Sequence, residues 1–311
     1  MANQEIAALR ELFSKNGLGR TLSEHRLGFD GLGKLFRVAS DVKLEPVVAE
    51  GVPGEWTITP GVEGNRVLLY LHGGGYGLGS TESHRHLASE VGRAADSRVL
   101  TINYRLAPEA PFPAAVDDAL AAYRYLLGQE FSPQDISIVG DSAGGGLAIA
   151  LLLAAREAGL PQPSCVVCIS PWCDLTLSGA TMDSKAAEDQ LAPKPMLVDL
   201  VEAYLGGADA RHPWISPIFA DLKGISPLFI LVGSAETLLD DAVRLAGAAG
   251  AAEVPVRLEI WPEMIHVWPL FHTMLTEGRQ ALASIADFIA ECQGKTPLRR
   301  MSPVTKATPR Q

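Results

Sequence analysis

The sequence is short of cysteine, of aromatic residues and of long apolar runs, and each shortage removes a class of protein. Four cysteines in 311 residues make no disulfide scaffold. Cys165 and Cys168 have CxxC spacing but sit inside the apolar run CVVCIS. On a strand, positions i and i+3 face opposite sides, so these two thiols cannot ligate one metal. All four cysteines therefore read as buried or free thiols. The longest apolar helix-like run, Leu147 to Ala155, is far too short to span a bilayer. The N-terminal stretch MANQEIAALRELFSKNG carries acids and has no uninterrupted apolar core, so it does not read as a signal peptide, and a cytoplasmic protein is expected. Positive charge is scarce as well. A net charge of −10 argues against nucleic acid or an anionic membrane as the main partner.

What is present describes a folded α/β chain. An apolar content of 47% rules out a mostly disordered polypeptide, and 311 residues suffice for one large domain. Residues 1–40 read as helical and amphipathic, with Leu9, Leu12 and Phe13 on one face and Leu32, Leu35 and Phe36 on another. Short apolar runs then appear at 43–48, 55–59, 67–71, 98–102, 136–139, 164–169, 228–232 and 256–260. From the third onward, most alternate with helix-length segments such as 113–128 and 142–157. That pattern predicts a mostly parallel sheet covered on both faces, with the first two runs as an antiparallel edge. Two stretches break the alternation: 1–40, and roughly 175–225 with its own helix near 194–205. Such insertions commonly cover a site. The expected organisation is a helical cap segment over 1–42, a catalytic domain over 43–294 with 175–225 partly in the cap, and a basic tail over 295–311. That tail has five Lys/Arg, three Pro and no Asp/Glu, and reads as a flexible end.

Three segments carry chemistry. Gly140-Asp141-Ser142-Ala143-Gly144 follows the apolar run ISIV and opens the helical stretch GGGLAIALLLAA. A strand–GxSxG–helix turn holds a serine at strained dihedrals and aims a helix N-terminus at a developing oxyanion. The ordinary alternative is a glycine-rich strand–helix turn. His72-Gly73-Gly74-Gly75 follows VLLYL, and glycines let a loop turn its N–H groups inward. Those groups would pair with that of Ala143 to hold a tetrahedral oxygen. A tight loop or a phosphate cradle are the alternatives, though no GKS or GxGxxG pattern accompanies it. His72 reads as a structural hydrogen-bonding residue.

A serine needs a base, and of seven histidines only His266 lies shortly after the last strand, in WPEMIHVWPLF. His84 and His86 read as opening a surface helix. An acid is expected after LFILV, where Glu236 sits at the strand exit, with Asp240 held in reserve and Asp241 beside it near a helix start.

These motifs in this order, with Tyr104-Arg105-Leu106-Ala107-Pro108-Glu109 between them, resemble the hormone-sensitive-lipase-like family of α/β hydrolases, above all its bacterial short-chain carboxylesterases. The match runs on through Phe112-Pro113, Asp117-Asp118 and Pro171-Trp172. The resemblance implies an α/β-hydrolase fold with an eight-stranded sheet and an N-terminal helical cap. It implies Ser142 as nucleophile, His266 as base and an oxyanion hole around Gly73, Gly74, Gly75 and Ala143; which two glycines donate stays open. Many members carry Asp-Pro-Leu at the acid position where this chain has Glu236-Thr237-Leu238, which implies a glutamate variant of the triad. Tyr104, Arg105, Glu109, Asp117 and Asp118 are similar to fold-supporting residues of the family.

The expected activity is hydrolysis of short-chain acyl esters through an acyl-enzyme, with no metal and no organic cofactor. Trp172, Leu175, Met264, Ile265 and Trp268 lie near the motifs and could line an apolar pocket or simply form core. An amidase, formamidase or carbamate hydrolase would use the same triad. A non-catalytic ligand-binding relative would need a broken one. The expected partner is a small-molecule ester, and the strand near 256–260 is a candidate edge for a homodimer.

Overall fold

The structure, a computed structural model, describes residues 4–15, 21–62, 64–129 and 131–294. The basic tail at 295–311 lies outside them. All eight apolar runs are strands: β1 (Lys43–Ala49), β2 (Val52–Ile58), β3 (Val67–Leu71), β4 (Arg98–Ile102), β5 (Ile136–Asp141), β6 (Cys165–Ile169), β7 (Leu228–Gly233) and β8 (Val256–Trp261). They form one sheet in the order β1-β2-β4-β3-β5-β6-β7-β8. The first two make an antiparallel hairpin whose second strand also runs antiparallel to β4. Every other pairing is parallel.

Nine helices accompany the strands among the described residues: α1 (Gln4–Lys15), α2 (Leu22–Leu35), α3 (Thr81–Ala94), α4 (Ala114–Gly128), α5 (Ala143–Glu157), α6 (Thr181–Ser184), α7 (Lys194–Leu205), α8 (Leu239–Ala251) and α9 (Thr276–Cys292). Local chemistry sets several ends. Thr21 opens α2 by accepting the Glu24 N–H at 3.2 Å, while the Glu24 carboxylate accepts the Thr21 N–H at 2.9 Å. Ser80 and Ser83 close the same reciprocal pair on α3. The left-handed Gly206, at φ 55°, ends α7.

Alternation along each strand divides the core in two. Leu69, Val166, Cys168 and Ile230 pack on the face covered by α4, α5 and α8. Leu68, Cys165, Val167 and Phe229 pack on the face covered by α3 and α9. Cys165 and Cys168 thus fall on opposite sides of the sheet, as strand geometry requires. The N-terminal segment adds to the second face through Ile6, Leu9 and Phe36. Leu35, by contrast, is exposed.

One expectation is overturned here. His84 and His86 do not open a surface helix; both are buried, at 2% exposure, on the inner face of α3. The His86 ring bonds the Leu270 carbonyl at 2.9 Å, and His84 approaches Asp141. A histidine looks polar in a sequence, but burial suits its ring once a nitrogen finds a partner. Among the described residues, no helix is long and apolar enough to cross a membrane.

Candidate active site

The parallel strands deliver their C-terminal ends to one edge, and the chemically active segments emerge there. Ser142 leaves β5 at φ 52°, ψ −121° and caps α5. A non-glycine residue holds such dihedrals only when its surroundings force them. They do: the Ser142 N–H donates to the Ile169 carbonyl at 2.9 Å, and the Ser142 carbonyl accepts the Trp172 N–H at 2.9 Å. The glycines let strand and helix close up. A Cβ on Gly144 would stand 1.9 Å from the Leu71 carbonyl oxygen, and one on Gly140 would stand 2.2 Å from that of Gly144.

His266 lies in the loop between β8 and α9, with its Nε2 3.0 Å from Ser142 Oγ. Its Nδ1 is 2.9 Å from Glu236 Oε2. With Nδ1–H donating to the carboxylate, the Nε2 lone pair faces the serine hydroxyl. Glu236 is fully buried. Its second oxygen accepts the Ser170 hydroxyl at 2.8 Å and the Gly233 N–H at 2.6 Å. Burial alone would lower the affinity of His266 for a proton, but the hydrogen bond and charge of Glu236 outweigh it and hold the imidazole above its ordinary value. Burial pushes the Glu236 carboxyl up, against the pull of His266 and of the Gly233 N–H.

The reserve acids lie elsewhere. Asp240 accepts the Ala180 N–H at 3.2 Å. Asp241 accepts the Cys173 and Asp174 N–H groups, each at 2.8 Å, and burial pushes its carboxyl up to about 8. Both sit at the start of α8, a turn beyond the strand exit, and face the 173–180 loop.

The His72–Gly75 loop follows β3. Gly74 and Gly75 have φ of 115° and 61°, which only glycine adopts freely. The Gly73 N–H donates to Asp141 Oδ1 at 3.1 Å, so this glycine is tied to the residue preceding Ser142. With its N–H engaged in this way, Gly73 leaves Gly74 and Gly75 as the candidate donors of the loop, a choice the sequence leaves open. The N–H groups of Gly74, Gly75 and Ala143 have no acceptor among the described residues. His72 is buried and stacks on Tyr104 at 4.2 Å, and burial lowers its imidazole to about 3, so it stays neutral. The Tyr104 hydroxyl donates to the His72 carbonyl at 2.8 Å. Arg105 pairs with Asp118, and Glu109 with Arg26.

Above Ser142 and His266 lies a largely apolar cavity of about 550 Å³. Its walls come from α1 (Leu12, Phe13), α2 (Phe29), α7 (Met196, Leu200) and the turn at Phe271, among others. Trp172, Leu175, Met264, Ile265 and Trp268 are not among the lining residues. All five are buried in the two cores instead. They flank the motifs in sequence, but their side chains turn down into the sheet packing, while the walls arrive from distant segments. Sequence reasoning also missed Asp141, which gathers the Tyr70 hydroxyl, the Gly73 N–H and His84, and Ser170, which supports Glu236. The available signal was position: each ends or directly follows a parallel strand. Among the described residues, no group of three or more His, Cys, Asp or Glu could hold a metal ion.

Comparisons with known proteins agree with this fold. A family model described as an α/β hydrolase fold matches residues 68–270. The chain is 45% identical over 297 residues to a Streptomyces hygroscopicus protein named acetyl-hydrolase, covering 95% of this chain and 99% of that one. It is 35% identical over 260 residues to an esterase of Acinetobacter venetianus, covering 83% and 86%. A crystal structure of an esterase from the bacterial hormone-sensitive lipase family superposes with a TM-score of 0.92 at 41% identity, covering 94% of this chain and all of that one. The crystal structure of EstE5 soaked with p-nitrophenyl butyrate superposes with a TM-score of 0.91 at 44% identity and the same coverage.

Proposed function

The chain belongs to the α/β hydrolase family, among the esterases of its hormone-sensitive-lipase branch, and on that footing we propose that it hydrolyses short-chain acyl esters through a Ser142–His266–Glu236 triad. Its general activity is that of a carboxylic ester hydrolase. The observation that carries the finer reading is the line of hydrogen bonds from Ser142 Oγ through His266 to Glu236, 3.0 and 2.9 Å long, on the floor of a cavity.

In this reading His266 Nε2 accepts the Ser142 proton as Oγ attacks the ester carbonyl. The oxygen turns negative among the N–H groups of Gly74, Gly75 and Ala143, and the Ala143 group adds the field of the α5 N-terminus. Glu236 holds the Nδ1–H tautomer and balances the imidazolium. His266 then protonates the departing alcohol, and water repeats the cycle on the acyl-enzyme to release the acid. Short acyl chains fit because α1, α2 and α7 close over the serine as a cap. A relative named acetyl-hydrolase and another soaked with a butyryl ester point the same way.

The test is hydrolysis of p-nitrophenyl esters from two to twelve acyl carbons by wild type, Ser142→Ala and Glu236→Gln. The expected result is a rate peaking at short chains, absent in the serine variant and strongly reduced in the glutamate variant. A Glu236→Gln enzyme with full activity would overturn the triad, and a maximum at the long esters would overturn the substrate class.

A further inference from the structure

A second buried carboxylate stands behind the catalytic acid. Asp189 is only 3% exposed, and its two oxygens divide between two segments. Oδ2 accepts the N–H of Thr237 at 2.8 Å and its hydroxyl group lies 3.1 Å away. Oδ1 accepts the N–H groups of Leu191 and Ala192, both at 3.0 Å. Thr237 directly follows Glu236, and Gln190, Leu191 and Ala192 line the cavity. The Thr237 hydroxyl is also 2.8 Å from the Ala192 carbonyl, which closes the junction. Buried polar clusters of this kind are rigid when every member is satisfied.

We propose that Asp189 is a positioning residue, which fixes the Glu236 loop against His266 and ties that pair to the wall contacting the substrate. The inference rests on the triad reading above. Two features separate it from simple loop anchoring. The chain passes from Glu236 straight into the residue that Asp189 holds, so slack at Thr237 is slack at the acid. The charge of Asp189 also acts on His266 in the same direction as those of Glu236 and Asp141, against the lowering effect of burial. An aspartate here both aims the acid and adds to the basicity of the base.

The experiment compares pH profiles of kcat and kcat/KM on a short p-nitrophenyl ester for wild type, Asp189→Asn, Thr237→Val and Glu236→Gln, with thermal melting of each. Asn at 189 has one acceptor oxygen and one NH2 group where both positions face donors, and it carries no charge. Asp189→Asn is expected to lose kcat roughly ten- to hundredfold, as small misplacements of catalytic groups do, and to move the acid limb of kcat/KM to lower pH. Thr237→Val keeps the charge and the backbone bond, so a smaller loss of kcat with an unmoved acid limb is expected. If Asp189→Asn melts lower but keeps the wild-type kcat and acid limb, Asp189 is merely structural and the inference falls while the triad stands. If Asp189→Asn does not fold, Thr237→Val decides, and an unchanged kcat overturns the inference. Wild-type activity in Glu236→Gln removes the triad reading and this inference with it.

Discussion

Asp141 Oδ1 accepts the N–H of Gly73 at 3.1 Å, so the residue before the serine holds the loop that would bind the oxyanion. The same oxygen accepts the Tyr70 hydroxyl at 2.8 Å, and the other faces His84 Nε2 at 3.3 Å. A single buried carboxylate thus registers β3, α3 and the serine turn to one another.

Removing that carboxylate should loosen the oxyanion loop while leaving the Ser142–His266–Glu236 hydrogen bonds in place, although it also takes one negative charge away from His266. Asp141→Ala is expected to lower kcat by ten- to a few hundredfold, bounded by the roughly 3 kcal/mol that one oxyanion donor supplies. KM should change little, because the loop contacts strengthen only in the transition state. Asp141→Asn keeps an acceptor for Gly73 and Tyr70 and should retain more activity. Steady-state kinetics on one short ester measures both, and a KM rise with kcat unchanged would contradict the assignment.

Ser170 offers a second handle. Its hydroxyl donates to Glu236 Oε1 at 2.8 Å and accepts the Val267 N–H at 3.1 Å, bridging the acid to the residue after the base. Ser170→Ala leaves both partners short inside a buried site, a cost of about 1–3 kcal/mol. The expected result is about a tenfold loss of kcat together with a lower melting temperature. Kinetics and melting indistinguishable from wild type would show that the bridge is idle.

The strands were legible because each is an apolar run bounded by turn or helix signals, and Ser142, His266 and Glu236 fall at places that strand order dictates. The cavity wall was not legible. Leu12, Phe29 and Leu200 come from three helices that only tertiary packing brings together. Trp172 and Met264, adjacent to the motifs in sequence, point into the core. In the sequence Asp141 reads as part of the serine motif and nothing singles out Asp189, since a carboxylate's partners across tens of residues leave no local pattern. His84 and His86 show the same limit: the helix was visible, but not which of its faces the sheet would claim.

The tightness of the serine turn makes its own prediction. An alanine at 144 would place its Cβ 1.9 Å from a backbone oxygen of β3, which no side-chain rotation relieves. Overpacking of this kind costs typically 1–3 kcal/mol, and a backbone clash belongs at the upper end. At roughly 2–4 °C per kcal/mol for a domain of this size, Gly144→Ala should melt several degrees lower. Activity should fall as well, because relief requires α5 to retreat from β3 and carry Ser142 with it. Calorimetry and an ester assay on the same sample test this, and an unshifted melting temperature would contradict the packing.

The pH dependence follows from which form of His266 works. The base must be neutral to take the Ser142 proton, so activity rises with pH through the His266 titration. Glu236 holds that titration above the ordinary value of 6.5, so the acid limb of kcat/KM should have its midpoint above 6.5. For His266 alone, the linkage to stability runs the other way. A group whose pKa is raised on folding adds stability below its unfolded value, and that stability is lost as pH rises through the folded one. Over this window, therefore, the His266 contribution to stability should fall while activity climbs. In Glu236→Gln the hydrogen bond and charge that do most to raise His266 are gone, leaving only the weaker pull of Asp189 and Asp141 against burial, and the residual activity should show its acid limb displaced to lower pH. A wild-type midpoint at or below 6.5, or a limb that stays put in Glu236→Gln, would mean that the carboxylate does not set the basicity of His266.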